Sequence, residues 1–167
     1  MRGLAHKLAK NYPAAITAQR EAVALWRTVD RESKNVAIGL NDLAGSERIS
    51  GDLKGAERDY REALRIALAV GYDEGVAYIT GNLVALALDR ADWPNAEVLA
   101  HQALPLAEKI GRQELIAGDC NRLAIALVRQ GKKAEALPHA QRSVEIFTRL
   151  GSPFLAEARK TLAECES

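Results

Sequence analysis

This sequence has few aromatic residues, and it has almost no excess of positive or negative charge. Phe, Trp and Tyr make up only 5% of the 167 residues, so the 48% of hydrophobic residues must build a core mainly from Ala, Leu, Ile and Val. The 23 Lys and Arg residues nearly balance the 22 Asp and Glu residues, for a formal net charge of +1. This balance indicates neither a basic nucleic-acid surface nor an acidic tail. We therefore expect no nucleic-acid partner.

Long apolar runs, strand patterns and cysteine clusters are also missing. No stretch approaches the ~20 apolar residues of a membrane-spanning helix, and the first residues contain no signal-peptide apolar region. No alternating β-branched run predicts a strand. Cys120 and Cys165 lie far apart, without metal-ligand spacing. We expect an all-α, cytoplasmic protein with reduced thiols, no membrane partner, no metal and no cofactor.

The sequence does contain an internal repeat. Three columns of residues recur at an interval of forty positions, and apolar residues follow helical spacing between them. A repeat of this length predicts a stack of helix hairpins. The columns are Gly71, Gly111 and Gly151; Ala56, Ala96 and Ala136; and Leu43, Leu83 and Leu123.

Apolar spacing and helix-ending residues predict two helices in each full unit. Asn11 and Asp92 each precede a proline, Pro13 or Pro94, in the arrangement that caps a helix. Pro105 falls inside a helix and predicts a bend there. After a stub at 3–10, the predicted helices cover about 13–29, 34–50, 54–70, 74–90, 94–110, 113–130, 133–150 and 153–166.

The predicted helix at 54–70 shows how we assign its faces. Leu68 lies on the apolar face and is expected to be buried, whereas Ile66 lies on the flank expected to face water. Glu57 and Arg61 on that flank have the spacing of an i,i+4 ion pair.

The columns resemble the tetratricopeptide repeat in its longer form of about forty residues. The family pattern has a large apolar residue, Leu and a small residue in the first helix, then a small–large–small series in the second. The family's Trp is missing, and a glycine column replaces its proline. The matching positions are Leu40, Leu43, Ala44, Ala56, Tyr60 and Ala63; Thr80, Leu83, Val84, Ala96, Ala100 and Ala103; and Cys120, Leu123, Ala124, Ala136, Ala140 and Ser143.

The resemblance implies an all-α, α–α superhelix. This fold is a TPR-like solenoid of antiparallel helix hairpins, with about three full repeats and partial repeats at both ends. A single helical repeat domain is expected over residues 1–167. Its units are about 1–30, 31–71, 72–111 and 112–151, followed by a C-terminal helix at 153–166.

The two ends of the array leave alternatives open. Met1 aligns part-way through a first helix, and the segment 153–166 supplies a first helix without a second. Both a fragment of a longer chain and a small protein capped by one C-terminal helix fit this pattern.

The resemblance also implies where a partner binds, because first helices of successive tetratricopeptide units line a concave groove. Asn41 and Asn121 occupy one repeat position, with Gly81 between them, and an amide can donate to and accept from a peptide backbone. Arg48 and Arg129 can bind carboxylates. The predicted groove residues are Asn41, Arg48, Tyr78, Gly81, Asn121, Ile125 and Arg129.

These expectations define a non-catalytic scaffold that binds a peptide or protein segment in its groove, within a larger regulatory or signalling protein. The alternative is self-association through terminal helices, or packing against other parts of the same chain. A small-molecule sensor with a pocket at the gap between Gly81 and Gly118 has no ligand-specific pattern to support it.

No group of residues indicates an enzyme. His101 and His139 have neither a carboxylate nor a cysteine partner for a metal site, and Cys120 lies in an apolar column as a structural thiol. No spacing pairs the carboxylates into an acid–base device. Those carboxylates are Asp42, Asp89 and Asp119.

Overall fold

The computed structural model of the protein describes residues 12–167, and every regular element in this range is an α-helix. The all-α prediction is confirmed, and the predicted bounds differ from the observed ones by two residues at most. The predicted stub at 3–10 and the Asn11 cap lie outside the described residues. The helices are α1 Tyr12–Val29, α2 Lys34–Ser50, α3 Leu53–Ala69, α4 Asp73–Asp89, α5 Trp93–Ile110, α6 Gln113–Arg129, α7 Lys133–Leu150 and α8 Leu155–Glu166.

Short polar side chains begin several of these helices. Ser33 Oγ accepts a hydrogen bond from the backbone N–H of Val36 at 3.4 Å and so caps α2. Asp92 Oδ1 accepts from the N–H of Asn95 at 3.4 Å, which confirms the predicted cap of α5. These bonds satisfy donors that the first turn of a helix leaves without a partner. Helix α5 continues through Pro105, and the bend predicted there stays a prediction.

Two side chains of α3 lie opposite to expectation. Ile66 is fully buried, whereas Leu68 is 61% exposed. The buried stripe of α3 is centred on the small residues Ala56, Ala63 and Ala67, all with zero exposure. Because alanines let two helices approach closely, they set the contact line, and the larger Leu68 falls outside it.

Two compact units, Met1–Asn82 and Leu83–Ser167, divide the chain within α4. In the first unit α1 packs on α2, and α2 packs on α3. In the second, α5 packs on α6, α6 on α7 and α7 on α8, while α6 also contacts α8. Each unit is therefore built from consecutive helix hairpins. The single domain over residues 1–167 stays a prediction.

The first unit contains one close approach that requires glycine. Trp26 of α1 lies over Gly39 of α2, where an added Cβ would be 2.9 Å from both Trp26 Cε3 and Val23 Cγ2. These distances are shorter than van der Waals contact, so a side chain at position 39 would push α1 away from α2. Trp26 therefore packs α1 against α2 at this position.

Candidate binding surface

A hydrogen bond between two half-exposed amides joins α2 and α4 in the first unit. Asn82 Nδ2 donates to Asn41 Oδ1 at 2.9 Å. A primary amide has two N–H donors and an oxygen with two lone pairs. This one bond therefore leaves Nδ2 of Asn41 and Oδ1 of Asn82 with further capacity for a ligand.

The side chains around this amide pair include several of the predicted groove residues. Tyr78, one turn before Asn82 on α4, is 41% exposed, and Arg48, two turns after Asn41 on α2, is half-buried. Residues three and four apart on a helix share a face. The amide pair thus lies on a surface that also contains Tyr78 and Arg48, whereas Gly81 is buried and adds no side chain.

The predicted groove residues of the second unit form one stripe along α6. Asn121 is buried and Ile125 half-buried, while Arg129 is exposed. Arg129 Nη1 donates to Glu164 Oε2 of α8 at 2.7 Å. The Oδ1 atom of Asn121 has no hydrogen-bond partner among the residues that the structure describes. A binding role for the three stays a prediction.

Asn82 is a candidate that the sequence analysis missed. The forty-residue interval aligned Asn41 with Gly81, whereas the amide that contacts Asn41 belongs to the next residue. A second polar column at the same interval, formed by Asp42, Asn82 and Arg122, could have identified it. The repeat interval aligns equivalent backbone positions. The side chain that contacts Asn41 belongs to position 82, one residue after the equivalent position 81.

A buried ion cluster in the first unit was missed as well. Glu47 of α2 has no exposed surface, and its Oε1 accepts from Arg20 Nη2 at 2.7 Å, with Arg58 Nη2 3.9 Å away. Arg58 also binds Asp59, which is buried, at 2.7 and 3.0 Å. Burial raises the pKa of Glu47, the hydrogen bond from Arg20 opposes this, and the charge of Asp59 adds to it. The cluster ties α1, α2 and α3 together.

Burial shifts the pKa of two groups with catalytic or metal-binding potential, Cys120 and His139. Cys120 is buried, and burial raises the pKa of its thiol to about 11. Burial also lowers the pKa of His139, and the nearby charge of His101 lowers it further. In residues 12–167, no three His, Cys, Asp or Glu side chains are grouped so that they could hold a metal ion. No helix in the same range has both the length and the apolar character to cross a membrane.

The tetratricopeptide repeat family matches two segments of the chain, residues 36–70 and 120–150. The first contains most of α2 and all of α3, and the second contains half of α6 and all of α7. The resemblance found in the sequence is thereby confirmed at these hairpins. No curated protein matches the chain by sequence.

Solved structures of helical repeat proteins are similar to the chain over most of its length. The apo form of RapI is 19% identical with a TM-score of 0.82, over 98% of this chain and 46% of that one. BtubC (BKLC) from P. vanneervenii is 22% identical with a TM-score of 0.74, over 90% of this chain and 63% of that one. This chain thus spans less than two thirds of either protein.

A putative kinesin light chain from Podosopora anserina, described as having nearly identical TPR-like repeats, gives a similar result. It is 17% identical with a TM-score of 0.77, over 98% of this chain and 81% of that one. The predicted fold class, a TPR-like solenoid, is therefore confirmed. Folds of this kind generally serve as scaffolds for protein–protein interaction.

Proposed function

We propose that this chain is a non-catalytic scaffold that binds an extended segment of a partner protein on the surface around Asn41 and Asn82. The observation that carries the proposal is the half-exposed amide pair of these residues. The two amides can accept from the N–H and donate to the C=O of a bound peptide, whatever its side chains. Tyr78 beside them offers an aromatic surface to a peptide side chain. The proposal places the chain in the cytoplasm, within a larger regulatory or signalling protein.

Arg48 adds a cationic end to this surface. A guanidinium at the last turn of α2 can bind a carboxylate of the partner through two parallel hydrogen bonds. In the second unit the same proposal assigns a contact role to Asn121, Ile125 and Arg129.

Peptides selected from a random display library against the immobilised chain would test the proposal. In the variant Asn41→Ala/Asn82→Ala, the selected peptides should bind about thirtyfold more weakly, because the two neutral hydrogen bonds contribute about 1 kcal/mol each. The matched control is Gln102→Ala/Gln141→Ala, which removes two exposed amides from α5 and α7. Equal affinities of both variants and the unmodified chain would contradict the proposal.

Self-association is the second candidate function. Leu25 and Val29 of α1 are 65% and 86% exposed, and Phe154 before α8 is also largely exposed. Apolar side chains of this size at the first and last described helices favour contact with a second copy. Light scattering over a range of concentrations tests this candidate, and a mass that stays that of one chain would argue against it.

A further inference from the structure

A cleft lies between α1 and α3 in the first unit, with α2 beneath it. Its volume is about 920 Å³, and its floor is formed by Val23, Leu40 and Leu43. A second hollow of about 650 Å³ continues it and shares Arg27 and Arg65 with it. Volumes of this size are typical of ligand-binding clefts.

This cleft lies on a different face of α2 from the amide pair. At about 100° per residue, Leu40 and Leu43 point on average about 120° away from Asn41 and Arg48. A ligand in the cleft would therefore contact α2 on a separate side. The cleft and the amide surface can be altered independently by substitution.

Basic side chains dominate the rim of the cleft. Among the described residues that line it, six are basic and three are acidic. Each of these arginines lies within 4 Å of a carboxylate, but the arginine side chains are 44–72% exposed and the lining carboxylates only 9–35%, so the guanidinium is the more exposed partner of each pair. The basic residues are Arg20, Arg27, Lys54, Arg58, Arg61 and Arg65, and the acidic ones are Glu57, Asp59 and Glu62.

Buried carboxylates hold two of these arginines in fixed orientations. Glu47 binds Arg20 at 2.7 Å, and Asp59 binds Arg58 through two bonds of 2.7 and 3.0 Å. A guanidinium has five N–H donors, and these bonds use one or two of them. The carboxylates orient the arginines, and this lowers the conformational-entropy cost of ordering their side chains when a ligand binds.

We propose that this cleft is a second docking site, for an acidic segment of a partner protein with apolar side chains between its carboxylates. The exposed arginines complement the carboxylates, and the floor of Val23, Leu40 and Leu43 receives the apolar side chains. From Lys54 to Arg65, α3 rises about 17 Å, the length of about five extended residues. The apolar floor favours such a peptide over a simple inorganic anion.

A labelled synthetic peptide in which glutamates flank two leucines is the probe for this site. We expect the double variant Lys54→Gln/Arg61→Gln to bind it about tenfold more weakly than the unmodified chain, with a binding constant that falls as salt is added. Both changes lie on the exposed rim and should leave the circular dichroism spectrum unchanged. The matched control, Arg159→Gln/Lys160→Gln on α8, removes the same charge from exposed positions of the second unit.

Four further measurements decide between this site and its rivals. Peptides with glutamine for glutamate, or alanine for leucine, should bind at least about tenfold more weakly, since each loses one of the two complementary contacts. Unchanged binding by Lys54→Gln/Arg61→Gln, or an equal loss in the α8 control, would overturn the proposal. So would displacement of the peptide by tripolyphosphate at equal concentration, which indicates a general anion site. Loss of binding in Asn41→Ala/Asn82→Ala would place the peptide on the other face instead.

Discussion

The hairpins α2–α3 and α6–α7 both match the tetratricopeptide repeat, yet each buries a carboxylate at a position where the other has none. Glu47 in the first hairpin corresponds to Leu127 in the second, eighty residues later, and both are almost fully buried. Asp119 in the second is also fully buried and corresponds to Gly39 in the first. The repeat therefore dictates which positions are buried. It does not dictate that they be apolar.

The cations that balance the two carboxylates come from different places. Glu47 binds Arg20 of α1 and lies near Arg58 of α3, so its charge connects three helices. Asp119 binds Arg122 on its own helix at 2.7 Å. A buried carboxylate is tolerated only where a cation reaches it. In the first hairpin the hydrogen-bonded cation comes from α1, whereas in the second it comes from the same helix as the carboxylate.

Exchange of the residue types at the corresponding positions 47 and 127 should give the largest effect. Leu127→Glu places a carboxylate where the second hairpin has leucine and should lower the free energy of unfolding by about 3–5 kcal/mol. Glu47→Leu should change it by less than about 1 kcal/mol, because Arg20 and Arg58 are more than half exposed and remain hydrated. Urea denaturation measures both. A loss in Glu47→Leu as large as in Leu127→Glu would show that the ion cluster, not apolar burial, stabilises the first hairpin.

The glycines of α2 and α6 provide the next test of the comparison. Gly39→Ala should cost about 1–3 kcal/mol, because its Cβ would overlap Trp26 and Val23. Gly118→Ala is the control, since its Cβ would meet only the flexible end of Arg122, at 3.3 Å. Alanine is the better helix former, so the control should gain up to about 1 kcal/mol. Scanning calorimetry gives both values, and a destabilised Gly118→Ala would show that α6 is as tightly covered as α2.

The buried carboxylate of the second hairpin should also be visible in the pH dependence of stability. Burial raises the pKa of Asp119 above its ordinary value of 3.8, although Arg122 opposes the shift. The folded state then binds this proton more tightly than the unfolded state. The contribution of Asp119 to the free energy of unfolding therefore falls as pH rises from the ordinary pKa to the raised pKa of the folded state. Asp119→Asn should therefore become more stable relative to the unmodified chain as pH rises, by at most about 1.4 kcal/mol per pH unit.

Glu97 of α5 supplies a control of opposite sign for the pH experiment. Hydrogen bonds from Lys132 at 2.7 and 2.9 Å lower its pKa below the ordinary 4.5. Its contribution to stability is present above that value and is lost as pH falls through the folded pKa. Glu97→Gln should thus lose stability relative to the unmodified chain as pH rises. Parallel curves for Glu97→Gln and Asp119→Asn in urea unfolding experiments would refute the assignment.

The sequence was sufficient for the helices but not for the polar contacts between them. Caps, glycines and apolar spacing are local, and they predicted α2 and α7 with the observed bounds. The Asn41–Asn82 pair and the burial of Glu47 depend on how neighbouring helices are offset and rotated, which a repeat interval does not encode. The wrong prediction that Leu68 is buried has the same origin. Hydrophobicity marked it as core, but the alanines set the contact line.

The turn between first and second helices is a feature that both matching hairpins share, and it gives the smallest predicted effect. Gly51 and Gly131 adopt φ angles of 94° and 78°, and Ala91, at the same repeat position in the hairpin between them, adopts 56°. A Cβ in this left-handed region costs about 1–2 kcal/mol. Replacement by glycine removes that cost, but it also makes the unfolded chain more flexible, which lowers the free energy of unfolding by about 0.4–1 kcal/mol.

Ala91→Gly should therefore stabilise the protein by about 0.5–1 kcal/mol, and Gly131→Ala should destabilise it by about the same amount. Urea unfolding of the two variants and of their combination measures the effects, which should cancel in the double variant because each change adds or removes one methyl group at an exposed position. A destabilised Ala91→Gly would mean that the methyl group of Ala91 makes a favourable contact. In that case the turn at position 91 would differ from the glycine turns in packing as well as in residue type.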